Sequence, residues 1–108
     1  MKMTKILKAL SNETRLSMLG WLKEPSKHFA AIACDINNPK AGIDIEKAGV
    51  CVGFIQQKSG LSQSTTSYYL SLLQDAGLVQ ASRRGQWTYY KRDEEAIASF
   101  LTHITGNL

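Results

Sequence analysis

A chain of 108 residues is the size of one small domain, able to build a single core while burying proportionately less of its surface than a larger one. Its 44% hydrophobic and 20% charged residues exclude a disordered or fibrous chain, and no apolar run approaches the roughly 18 residues that span a bilayer. The net charge of +4, from 13 Lys and Arg against 9 Asp and Glu, favours a polyanionic partner, nucleic acid before membrane.

The charge is unevenly placed. Lys2, Lys5, Lys8, Arg15, Lys23 and Lys27 face only Glu13 and Glu24 in the first third. Arg83, Arg84, Lys91 and Arg92 stand against Asp75 alone in residues 61–92, and Asp93-Glu94-Glu95 then opens a tail without Lys or Arg. Met1-Lys2-Met3-Thr4-Lys5 is not followed by an apolar stretch and cleavage site, so a cytoplasmic protein is expected. Cys34 and Cys51 are too few for a disulfide scaffold and lack C-x-x-C spacing.

In chain order, Ile6, Leu7 and Leu10 predict a first helix over 4–10, which Ser11-Asn12 interrupt with two capping residues. Leu16, Leu19 and Leu22 predict a second over 13–24, ended by Pro25. Residues 25–49 hold Asn37, Asn38, Pro39, Gly42 and Gly49 and follow neither helical nor strand periodicity, so an extended, partly packed insertion is expected there. Cys51, Phe54 and Ile55 predict a short helix over 50–59, and Gly60 supplies its left-handed end. Ser62 is a good N-cap for another helix, which Gly77 ends near Ala76. Helix, glycine-containing turn, helix is the helix-turn-helix outline.

On that second helix Thr66, Leu70 and Leu73 share the core side. Gln63, Ser64, Ser67, Tyr68 and Ser71 share the other, which is polar without formal charge. An ordinary solvated face is rich in Lys and Glu, whereas Gln and Ser suit approach to base edges. Two alternating runs, 78–82 and 87–91, flank Arg83-Arg84-Gly85-Gln86 and predict a hairpin with a basic tip, suited to the DNA backbone or minor groove. Ile97, Phe100, Leu101, Ile104 and Leu108 form an apolar stripe on a last helix, with acidic residues in its first turn. The expected fold is mainly α with a β-hairpin wing, a single-domain winged helix-turn-helix over 1–108 in the order α-α-α-α-β-β-α.

Leu10-Ser11-Asn12-Glu13-Thr14-Arg15-Leu16, Gly60-Leu61-Ser62-Gln63-Ser64-Thr65-Thr66-Ser67, Leu73-Gln74-Asp75-Ala76-Gly77-Leu78-Val79 and Gly85-Gln86-Trp87-Thr88-Tyr89-Tyr90 together resemble the ArsR family of bacterial winged-helix repressors. The resemblance covers residues 4–24 and 50–105. It implies a homodimer joined through Ile6 and Leu7 of the first helix and Ile97, Phe100, Leu101 and Ile104 of the last. It further implies an imperfectly palindromic double-stranded operator, with the 62–76 helix in the major groove and the 80–91 hairpin as wing. The residues it places on DNA are Gln63, Ser64, Thr65, Ser67, Tyr68 and Ser71 of the helix, and Arg83, Arg84 and Gln86 of the hairpin. Family members usually repress, and release DNA when an effector binds.

This sequence departs from the family in three places. Tyr68-Tyr69 stand where Arg-His or His-His is common. Val50-Cys51-Val52-Gly53-Phe54 keeps one cysteine of the C-x-C pair of metal-sensing members, and Glu95 occupies a histidine position of the other familiar metal site, too close to His103. One matching Cys and one misplaced His do not make a four-ligand site, so no metal and no cofactor is expected. Ligands borrowed across a dimer (Cys34, Cys51, His28, His103) are the residual metal reading. A redox switch between Cys34 and Cys51 and a protein-contact module are the alternatives to a plain repressor. No catalytic constellation or phosphate loop points to an enzyme, and nothing names an effector.

Overall fold

The computed structural model describes residues 2–33 and 45–108, with side chains for 2–29 and 45–108. Helices and one small three-stranded sheet pack around a single core. The elements are α1 (Met3–Leu10), α2 (Glu13–Lys23), α3 (Pro25–Ala33), α4 (Ile45–Ala48), β1 (Val50–Cys51), α5 (Val52–Ser59), α6 (Gln63–Asp75), β2 (Val79–Arg84), β3 (Trp87–Arg92) and α7 (Glu94–Asn107). The sheet is antiparallel in the order β1-β3-β2. Among the described residues no helix is long and apolar enough to cross a membrane.

The caps expected from sequence carry the helix starts. Asn12 accepts from the Arg15 amide at 3.0 Å, Ser62 from Thr65 at 3.1 Å and Asp93 from Ala96 at 3.0 Å. The Ala96 amide, with the Gln80 side chain behind it, holds the Asp93 carboxyl below its ordinary value. Arg15 closes the preceding helix as well: its Nε donates to the Ala9 carbonyl at 2.7 Å and its Nη2 to that of Lys8 at 3.3 Å. Its guanidinium also lies 4.9 Å from the Tyr69 ring centroid. One side chain thus ties α1, α2 and α6 together.

Two expectations are corrected. Residues 25–33 and 45–48 of the expected insertion are helical rather than extended. Pro25 ends α2 and then occupies the first turn of α3, where its missing N–H removes nothing because first-turn amides have no partner within the helix. The expected helix over 50–59 begins only at Val52, and Val50–Cys51 instead pair with Tyr90 and Tyr89 of β3. The rest of the expected insertion, residues 34–44, lies outside the described residues.

Gly49 makes the β1 pairing geometrically possible. Its φ is +95°, and a Cβ there would sit 2.7 Å from the Tyr90 carbonyl oxygen. Behind the sheet, Met18, Phe29, Val50, Ile55, Leu70, Leu73 and Leu78 form the heart of one core. Gly49→Ala combines a disfavoured φ with a backbone clash and should destabilise the protein by about 2 kcal/mol or more. Gly20→Ala, in open space on helical α2, should instead stabilise it by roughly 0.5–1 kcal/mol. Urea denaturation of the two variants beside wild type reads both signs.

Candidate nucleic-acid interface

The geometry of α6 is set at its first turn. Gly60 adopts φ +72° and its amide donates to the Gln56 carbonyl at 3.0 Å, closing α5. Ser59 Oγ then receives the Leu61 amide at 3.2 Å and lies 3.5 Å from the Thr66 hydroxyl. Thr66, Leu70 and Leu73 are fully buried, as their shared side predicts. Four residues expected to touch DNA, Gln63, Ser64, Ser67 and Tyr68, are exposed on the opposite side, Tyr68 at 60%.

The other two helix residues are placed differently. Thr65 is half-buried, and both its amide and its hydroxyl are engaged with Ser62. Ser71 is half-buried and its hydroxyl donates to the Tyr68 carbonyl at 2.6 Å. Thr65 therefore fixes the start of the helix, and Ser71 is partly withdrawn.

The hairpin closes through Gly85-Gln86, with Gly85 at φ +64° and Arg84 paired to Trp87. Arg83, Arg84 and Gln86 are exposed. Alternation sends the two arginines to opposite faces. Arg83 shares a face with Val79 and Tyr90, which enter the core, so it lies on the helical side of the sheet. Arg84 shares the outer face with Tyr89 and stands 6.0 Å from that ring's centroid. Sequence reading treated the pair as one tip; the extension of β2 through Arg84 puts them on opposite faces.

The apolar stripe on α7 also divides. Ile97 and Phe100, like Ile6 of α1, are buried in their own core, whereas Leu7 and Leu101 are 41% and 54% exposed and Ile104 is half-buried. The face open to a second copy narrows to these last three. Leu16, 50% exposed on α2, is a further apolar residue left outside the core. Lys58, in the last turn of α5 and 5.3 Å from the Trp21 ring centroid, is a cation beside the helix-turn-helix that sequence reading did not single out.

Of the two cysteines, Cys51 is free and buried, and Cys34 lies outside the described residues. Among the described residues no three His, Cys, Asp or Glu side chains come together as a metal site would require. His103 is exposed on α7, while Asp93 is committed to its cap.

No family model matches the chain. It is 53% identical over 104 residues, 96% of both chains, to YbzH, an uncharacterized HTH-type transcriptional regulator of Bacillus subtilis (strain 168). It is 30% identical over 57 residues to the arsenical resistance operon repressor of the same organism, covering 53% of this chain and 54% of that one. Among solved structures it resembles a homodimeric winged helix-turn-helix DNA-binding domain of Mycobacterium bovis, described as a possible ArsR-family regulator. The TM-score is 0.62 at 24% identity, over 96% of this chain and 77% of that one, a likeness of fold. The chain belongs to the ArsR family of winged helix-turn-helix, DNA-binding transcriptional regulators.

Proposed function

We propose that the protein is a cytoplasmic repressor that binds a palindromic operator as a homodimer, with α6 in the major groove and the β2–β3 hairpin as wing. The observation that carries this reading is the outward face of α6. Gln63, Ser64, Ser67 and Tyr68 are exposed, uncharged and capable of hydrogen bonding, on a helix whose opposite side is immobilised in the core. Such a face reads base edges while cations elsewhere supply the attraction. Arg83 and Arg84 provide that attraction at the wing, and the salt dependence of binding reports it.

The dimer rests on different residues. Leu7, Leu101 and Ile104 leave apolar surface on the two terminal helices, and a second copy of α1 and α7 would cover it. The Mycobacterium bovis domain of the same fold is described as homodimeric. A two-fold dimer presents two α6 helices to half-sites about one helical turn apart.

Selection from a random DNA pool should therefore return an inverted repeat; a single, asymmetric motif would contradict the dimeric mode. On the selected duplex, Ser67→Ala or Tyr68→Ala should change the preferred base within each half-site, at about 1–3 kcal/mol per lost pairing. Equal loss on every sequence would leave these residues a positioning role only.

Changing Arg83 and Arg84 together to Ala should weaken binding to all duplexes and flatten the plot of log affinity against log salt by about one to two units. An unchanged slope removes the wing from the contact surface.

Leu101→Lys spares the monomer core because the side chain is already exposed. It should give a folded monomer by sedimentation, with operator affinity falling at least about tenfold as the two half-sites cease to be bound together.

A further inference from the structure

The outer face of the sheet, away from the core and from α6, carries an arrangement of which the operator reading uses only Arg84. In the β1-β3-β2 register Cys51, Tyr89 and Ser82 lie side by side, with Lys91 beside Gln80 in the next row of that face. A cavity of about 190 Å3 opens here, lined by Lys47, Ala48, Gln80, Ala81, Ser82, Arg84, Tyr89 and Lys91. Three of these residues are cationic and none is acidic.

Tyr89 is the anomaly. The residue is 3% exposed, and its hydroxyl is the one buried side-chain polar atom among the described residues without a hydrogen-bond partner. An orphaned buried hydroxyl is costly and rare, and here its residue also lines a basic cavity. Burial foremost, and the neighbouring Cys51, push the phenol above its ordinary value, so it remains a neutral donor. The other polar groups are partly committed. Gln80 donates to Asp93 at 3.1 Å, and Lys91 Nζ donates to the Lys47 carbonyl at 3.4 Å, which holds its ammonium at the end of α4.

We propose that this cavity binds a small phosphate-like oxyanion, free phosphate or the phosphoryl end of a larger molecule, through Lys47, Lys91, Arg84 and the Tyr89 hydroxyl. A tetrahedral oxyanion presents several acceptor oxygens in different directions, which matches donors arriving from α4, β2 and β3. A lone carboxylate would answer fewer of them. The volume corresponds to about six waters, room for such a group with part of its hydration. The regulatory consequence rests on the operator reading above. Arg84 belongs both to the cavity and to the wing, so an anion held here competes with the duplex for it and lowers DNA affinity.

The test titrates sodium phosphate and pyrophosphate into the full chain without DNA, at constant ionic strength, followed by amide NMR and thermal melting. Saturable shifts centred on Ala48, Ser82, Tyr89 and Lys91 are expected. Binding should be about tenfold weaker when Lys47 and Lys91 are both changed to Ala, as loss of charge-assisted bonds requires. Tyr89→Phe should melt at or above the wild-type temperature without anion, because it removes the orphan, and should lose most of the rise that pyrophosphate gives wild type. Non-saturating shifts, shifts confined to α6 and the hairpin tip, or equal binding by all variants would overturn the site.

A second arm uses the selected operator. Pyrophosphate should weaken DNA binding by wild type more than by the Lys47→Ala, Lys91→Ala pair; an equal effect on both overturns the competition. If Tyr89→Phe, which leaves the charge intact, loses DNA affinity about tenfold with no anion added, the phosphate recognised is the duplex's own and the free-anion assignment fails. Saturable anion binding by a protein that binds no duplex would sustain the site and overturn the operator reading instead.

Discussion

The angle between α5 and α6 hangs on a buried hydroxyl. Thr66 is fully enclosed, and its oxygen meets Ser59, which also receives the Leu61 amide. A hydroxyl taken out of water without a partner is expensive, so this small network specifies one geometry of the turn among many that hydrophobic contact alone would tolerate. Leu70 and Leu73 then extend the anchored side by two helical turns. The polar side has no freedom left except that of its own side chains, which is what the proposed base-reading role requires.

The sheet does for the wing what Thr66 does for the helix. A two-stranded hairpin alone is marginal in water. Here β3 is central, held on its other edge by β1, and that third strand fits because Gly49 has no Cβ, which would sit 2.7 Å from the Tyr90 carbonyl oxygen. The wing is thereby linked to the start of α5 through Cys51, which is both the end of β1 and the N-cap of the first helix of the pair. A perturbation on the outer face of the sheet has a short mechanical route to the helix-turn-helix. Arg84 adds an electrostatic one.

Charge and shape divide the work. The outward side of α6 has no formal charge before Asp75, while cations stand on the hairpin and at Lys58. Charges on the reading face would bind any phosphate and blur discrimination, whereas charges at the periphery draw the duplex in and leave sequence to hydrogen bonds. Arg15, despite its charge, is withdrawn from this economy: its guanidinium is spent on the carbonyls that end α1 and on the Tyr69 ring.

What the sequence determined by itself was whatever is encoded within one turn of chain. Asn12, Ser62 and Asp93 announce helix starts and Gly60 a helix end because a cap acts on amides three residues away or on its own φ. The core side of α6 and the hairpin followed from periodicities of 3.6 and 2. Pro25 was legible as the end of α2, but not as the first residue of α3, since the same missing amide serves both. Tertiary structure decided the rest, for a common reason: the partner is distant in sequence. Two residues, Val50 and Cys51, carry no strand signal of their own and become a strand only because Tyr89 and Tyr90, about forty positions later, offer free carbonyls and amides. The same packing chose which members of the apolar stripes to bury, taking Ile6, Ile97 and Phe100 inward and leaving Leu7 and Leu101 outside. It also buried the Tyr89 hydroxyl beside a basic cavity, where no local pattern foretold it.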